Sequence, residues 1–206
     1  MTEKAPMAFP LLDGDKATPL ISAYFEIAHL KQVYRKGWLQ RGLPESLTES
    51  VADHSFGNAI LCLLLLANRP ELDAAKVLRL ALLHDVGEAY VGDITPQDRV
   101  DSSEKTRLES EAVTKILSRL PGGNNLIADW HEYEEQASPE AQFVKQVDRL
   151  ELAMQASIYS HQGEVDVPEF IDAALAHARD DDVASEVEML KALTRELSQV
   201  LDKAGG

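Results

Sequence analysis

Residues Leu78 to Asp93, LRLALLHDVGEAYVGD, constrain this chain more than any other stretch. Leu78, Leu80, Ala81, Leu82 and Leu83 form an apolar helical run that leads straight into His84 and Asp85. An apolar helix belongs in a core. A core does not accept an imidazole beside a carboxylate unless both are partnered, because desolvating an unpaired charge is costly. Glu88 and Asp93 add two more titratable groups. On a helix, His84 and Glu88 are i,i+4 neighbours and Asp85 and Glu88 are i,i+3 neighbours, so all three side chains can face one point. A bound metal ion supplies the missing partner. Gly87 lets backbone or substrate come close, at about 1 kcal/mol of helix propensity. The alternative is a helix terminus with solvated polar residues.

Apolar spacing elsewhere is helical. Leu20, Tyr24, Ile27 and Leu30 predict a helix over 19–34. Arg35-Lys36-Gly37-Trp38 reads as a break, extended by Gly42 and Pro44. Ser46 and Glu49 fit a capping box that starts a second helix, through about Ala67, with His54 in its first two turns. Asp73 caps the next helix, which runs into His84-Asp85. Leu108, Ala112, Val113, Ile116, Leu117 and Leu120 predict a helix over 102–120, stopped by Pro121-Gly122-Gly123. Helices follow over 125–136, 140–160, 168–179 and 182–202. The last carries Val187, Leu190, Leu193, Leu197 and Val200, a stripe that must pack on something. With no β-type alternation or internal repeat, the chain reads as all-α, with seven or eight helices in one domain. Residues 1–18 form a lead-in, 19–160 the core, and 161–206 C-terminal helices packing on that core or on a dimer partner.

Acidic residues outnumber basic ones 35 to 20 in a chain of 206, a net charge of −15. Such a surface repels polyphosphate backbones, which argues against duplex nucleic acid as a partner. A small phosphorylated substrate remains compatible if a few basic side chains line one pocket. The single Cys62 excludes an intrachain disulfide and fits a reducing compartment. The N-terminus lacks a signal-peptide pattern. The longest apolar run, Ala59 to Ala67, falls short of the roughly 18 residues of a membrane span. A soluble, cytoplasmic protein with no membrane partner is expected.

Two residues complete a metal shell around His84 and Asp85. His54, in Val51-Ala52-Asp53-His54, sits beside small residues that permit close helix packing. Asp148 interrupts an apolar helix, where a carboxylate is otherwise expensive. Two neutral imidazoles and two carboxylates neutralise one divalent ion. Nitrogen and oxygen donors without thiolate suit Mn, Co, Zn, Ni or Fe. Lys145, one turn before Asp148, is placed to meet a phosphate or simply to neutralise Asp148 or Glu151.

The joined string HDVGEAYVGDI, with ESVADHS before it and FVKQVD after it, resembles the HD-domain metal-dependent phosphohydrolase superfamily. The likeness is closest to the branch of the 5′-deoxynucleotidases and HD domain-containing protein 2, and spans roughly residues 20–160. The resemblance implies a helical fold and hydrolysis of 2′-deoxynucleoside 5′-monophosphates by a metal-activated water. Glu88 and Asp93 match the family's catalytic carboxylates, with the choice of base between them open. Arg35, Trp38, Thr95 and Lys145 are the substrate-binding candidates, with Arg41 a looser one. Trp38 fits a substrate contact or a core plug equally. Gly37 departs from the bacterial nucleotidases, which carry Arg directly before the Trp. The resemblance also implies a homodimer.

Other HD chemistries are the alternatives: a phosphodiesterase, a nucleoside triphosphate hydrolase, or a regulatory protein with a structural metal. Two-metal phosphodiesterases need more histidines between the HD pair and the last Asp. Only His131 lies there, which favours one metal. His131-Glu132 resembles half of a zinc-protease motif, but Glu135 stands where that motif needs histidine. His29, His161 and His177 read as structural, Cys62 as core, and 164–182 as a solvated edge.

Overall fold

The computed structural model describes residues 2–7, 17–162, 168–178 and 183–188. Thr18 starts the first helix: its hydroxyl accepts the Ile21 amide, and Pro19 occupies a position where no N–H is required. α1 (Pro19–Ala28) tightens into a 3-10 turn, His29–Lys31. α2 (Lys36–Gln40) follows Arg35, so the expected break is a short helix carrying Trp38 into the core.

α3 (Val51–Leu65) begins later than the Ser46–Glu49 reading predicts. Its cap is Ser50, whose hydroxyl accepts from the Asp53 amide while Asp53 takes the Ser50 N–H. Upstream, the backbone is committed to tertiary partners. The Glu49 amide donates to the Tyr159 hydroxyl and the Glu49 carbonyl accepts from the Arg35 amide, so the segment cannot wind into the helix.

α4 (Ala74–Leu83) is capped by Asp73 as expected, yet ends one residue before His84. His84–Gly87 form a turn rather than continuous helix, and α5 (Glu88–Val91) resumes it. α6 (Ser102–Leu117), α7 (Gly123–Glu135), α8 (Pro139–His161) and α9 (Pro168–His177) complete the set. That makes nine bounded α-helices among the described residues, against seven or eight expected; the added ones are the short α2 and α5. Residues 183–188 are helical too. The Asp180–Asp182 run and most of the predicted last helix lie outside the described residues. The architecture is all-α.

α8 is the hub. α3, α4, α7 and α9 pack around it and bury Phe143, Val144, Val147 and Leu150 with Val77, Leu80, Trp38 and Phe170. Each such side chain contributes about 1.5–3 kcal/mol on burial. A second core joins Val33, Val51, Val86, Val113, Ile116 and Trp130. α3 spans both cores, with Val51 in one and Cys62 in the other; His54 lies between them. The site therefore sits on the seam, held from both sides. His29, read from the sequence as structural, meets a carboxylate: Glu3, 2.9 Å away. Glu3 is out of sequence reach, and a bridge between Glu3 and Val33 brings it there.

Val51–Asn68 is long and apolar enough to cross a membrane by length and composition alone, with a third of it buried. It carries Asp53 and the buried His54, and its packing against α4 and α8 marks a core helix. Its outward face exposes Phe56, Ile60, Leu63 and Leu64 at helical spacing.

Candidate metal centre

α3 delivers His54, the end of α4 delivers His84, the turn beyond it Asp85, and α8 Asp148. The four predicted ligands converge. His54 Nε2 lies 3.4 Å from His84 Nε2, 3.1 Å from Asp148 Oδ1 and 3.8 Å from Asp85 Oδ2. His84 Nε2 lies 3.1 Å from Asp85 Oδ2. Ligand atoms of His54, His84 and Asp85 all fall within 4.8 Å of one another.

The proton positions follow from the partners. His84 Nδ1 is 2.8 Å from the Ala81 carbonyl, which can only accept, so Nδ1 carries hydrogen and Nε2 an open lone pair. His54 Nδ1 faces Glu151 Oε2 at 2.5 Å, which leaves its Nε2 free in the same way. Two imidazole lone pairs with two carboxylates beside them repel unless a cation stands among them. Asp85 Oδ2, buried, has no hydrogen-bond partner, as expected of an atom waiting for an ion. The donor set fits a divalent ion.

Without one, a proton takes its place. Burial and Arg35 oppose charge on His54, but hydrogen bonds to Asp148 and Glu151 win and push its pKa up to about 10. Burial likewise opposes charge on Asp85, yet His84 and Arg35 hold it below the usual carboxylate range. Asp148 is also held low: Lys145 and His54 outweigh its burial.

A cavity of about 730 Å³ opens beside these atoms. Arg35, Trp38, Thr95 and Lys145 all line it, with Glu88 and Asp93. Their side chains are already engaged. Arg35 lies between carboxylates, 3.5 Å from Asp93 and 3.7 Å from Asp85. Lys145 donates to the Tyr133 hydroxyl and to Asp148, so it neutralises its own helix while facing the cavity. Trp38 is 2% exposed, wedged between Tyr159 and Phe170, with Nε1 donating to Glu49. It is chiefly a core plug with one edge on the cavity. The Thr95 hydroxyl lies 2.9 Å from Gln40 and 3.0 Å from Asp98, capping the 3-10 turn Pro96–Asp98.

An HD domain profile matches residues 27–191. The chain belongs to the HD-domain family. Human 5′-deoxynucleotidase HDDC2 is 38% identical over 157 residues, 75% of each chain. A conserved Pyrococcus furiosus protein of solved structure superimposes at TM-score 0.70 with 30% identity, over 84% of this chain and 99% of its own. A Magnetospirillum magnetotacticum structure described as a predicted metal-dependent phosphohydrolase gives TM-score 0.68 over 87% of this chain and 95% of that one; at 23% identity it speaks for the fold alone.

In this HD-domain protein several site residues escape sequence reasoning. Trp130 Nε1 donates to the His84 carbonyl at 3.0 Å, and the Tyr133 ring packs on the His84 ring. Lys105 lines the cavity, but in sequence it is an ordinary helix-surface lysine four residues before Glu109. Glu151 carried a legible signal: it stands three residues after Asp148 on one helix face. His131 lies by Ser110 and is not among the residues lining this cavity.

Gly87 brings the HD turn against α6, where an added Cβ would sit 3.0 Å from the Glu109 backbone. Glu109 is thereby buried. Burial, opposed by Lys105 and aided by Asp85 and Glu134, pushes its pKa up to about 7. A carboxyl raised on folding favours the protonated native state, so stability falls as pH rises through this range and levels out above about 7. Glu109→Gln is expected to stabilise the protein by roughly 2 kcal/mol at pH 8 and not at all at pH 4. Denaturant melts at both values check this; equal gains would refute it.

Proposed function

We propose that this protein is a metal-dependent phosphomonoesterase that releases phosphate from 2′-deoxynucleoside 5′-monophosphates. One observation carries the reading: two buried imidazole nitrogens face each other behind Asp85 and Asp148, and those two carboxylates line a cavity that also presents Arg35, Lys105 and Lys145. The 5′-deoxynucleotidase name of the human relative supports the substrate class. His54, His84, Asp85 and Asp148 would hold one ion, of Mn, Co, Zn, Ni or Fe. Once bound, such an ion supplies positive charge for the phosphate and acidity for the attacking water.

The remaining work falls to the chain's own residues. Burial, then repulsion from Asp85 and Asp93, pushes the Glu88 carboxyl well above the ordinary carboxylate pKa. Its Oε2 is buried without a hydrogen-bond partner. Glu88 is thus the group suited to hold a proton and pass it on. Asp93 is anchored to Arg35, and we assign it the orienting role. Arg35, Lys105 and Lys145 offset the phosphate dianion. Trp38 and Thr95 form a rigid wall for the sugar.

We infer further that 19–160 is the hydrolase core and that the C-terminal helices pack on it, since Phe170, Ile171, Val183 and Val187 join the main core. The exposed Phe56, Ile60, Leu63 and Leu64 stripe supports a homodimer, and the buried free Cys62 supports a cytoplasmic setting.

A substrate panel tests the reading. The purified protein, its metal determined, is given deoxy- and ribonucleoside mono-, di- and triphosphates and a phosphate bis-ester. Phosphate release from deoxynucleoside monophosphates alone is expected. Cleavage of the bis-ester or triphosphates would reassign it within the family, and bound metal without turnover would make it non-catalytic.

A further inference from the structure

We propose that Glu151 is a positioning residue for the metal ligand His54, and that position 57 is glycine to make room for it. The inference rests on the reading that His54 holds the ion. The two histidines are secured differently. His84 is oriented within its own turn, through the Ala81 carbonyl three residues back. His54 has no such local partner. Its Nδ1 is met by Glu151, which arrives from α8, 97 residues away in sequence.

Glu151 lies one turn beyond Asp148, so a single helix supplies both a ligand and the support of another ligand. Its side chain is 8% exposed, and Oε2 stands 2.5 Å from His54 Nδ1. A carboxylate on the far nitrogen of a ligating histidine locks the tautomer, orients the ring and raises its basicity. Losing such a partner typically costs about 10–100-fold in metal affinity.

Gly57 lies one turn after His54, directly beneath that carboxylate. A Cβ there would sit 2.6 Å from Glu151 Oε1 and 3.2 Å from its carboxyl carbon. The obstacle is the mobile end of a side chain and not backbone. An alanine is therefore accommodated by displacing the carboxylate, which uncouples it from His54. A helical glycine costs about 1 kcal/mol against alanine. Here that cost keeps the carboxylate in reach of the imidazole.

The experiment uses Co²⁺ alone, without substrate. Chelator competition and the visible absorption of the Co²⁺ form are measured for wild type, Gly57→Ala, Glu151→Ala, Glu151→Gln and the Gly57→Ala/Glu151→Ala double variant, beside melts of the apo proteins. Gly57→Ala should still fold, as its apo melt checks, yet bind Co²⁺ about 10–100-fold more weakly, with an altered spectrum. Glu151→Ala should match it. Glu151→Gln, whose amide oxygen still accepts the Nδ1 hydrogen, should restore most of the affinity. The double variant should bind no more weakly than Glu151→Ala, because both changes remove one contact.

Wild-type affinity in both single alanine variants overturns the proposal. Additive losses in the double variant overturn the role given to Gly57. Should Gly57→Ala not fold, the Glu151→Ala and Glu151→Gln comparison decides. A wild-type protein that takes no Co²⁺ at all brings down the metal reading itself, a result distinct from the others.

Discussion

His84→Ala is expected to abolish phosphate release and to weaken metal binding by at least two orders of magnitude, a loss larger than removal of a supporting contact gives. His84 is one of the four proposed donors, and its Nδ1 is tied to Ala81 so that Nε2 faces the site. An ion there is worth several kcal/mol of transition-state charge stabilisation, roughly 10³–10⁵ in rate. Chelation of the wild-type protein should reproduce the loss, and restoring metal should reverse it in wild type only. The apo protein should also melt lower, because a ligand at 100 times its Kd adds about 2.7 kcal/mol to the native state.

The pH dependence has a defined sign. In the metal-free protein the proton on His54 stabilises the fold; that contribution is complete below pH 6.5 and is lost as pH rises through about 10. An ion must displace the same proton. Apparent metal affinity should therefore climb about tenfold per pH unit between those values. Affinity flat across pH 7–9, or His84→Ala with undiminished turnover, would remove the basis of the site.

Glu88→Gln is the complementary experiment. The substitution keeps shape and leaves all four proposed donors intact, so metal affinity should hold while kcat falls about 10²–10⁴-fold, the share of a positioned acid–base group. The same variant should be more stable than wild type at neutral pH. Burial and the neighbouring Asp85 and Asp93 make the ionised Glu88 carboxylate unfavourable, and the amide escapes that penalty. Lower activity joined to higher stability marks a residue held against its own comfort for function. Unchanged kcat with the metal bound would move the acid–base role to Asp93. Asp93→Asn should act differently: it removes one of the two carboxylates that hold Arg35, leaving Asp85, and so is expected to raise KM as well as lower kcat.

Much of this was legible before any coordinates. The HDVGEAYVGDI string, the upstream VADHS and the late KQVD hold the four proposed donors, which the fold brings together, because titratable groups in apolar helices need a shared partner wherever they occur. Helical periodicity placed α1, α4, α6 and α8 to within a few residues of their observed bounds, apart from the end of α1, which tightens into the 3-10 turn His29–Lys31. What escaped the sequence was non-local. Ser46 and Glu49 look like a cap, but Tyr159, 110 residues on, takes the Glu49 amide. His29 looks partnerless until Glu3 is folded over it. Trp38 reads equally as core or contact, and only the Tyr159 and Phe170 rings decide that it is mostly core.

Local chemistry determined which residues must find a cation, since spacing and the cost of burying charge are properties of short stretches of chain. Which partner each of them meets was decided by helix packing: Glu151 against His54 across Gly57, Arg35 between Asp85 and Asp93, Lys145 on Tyr133. Those contacts join residues distant in sequence, and their ångström-scale geometry exists only once α3, α4, α7 and α8 are docked.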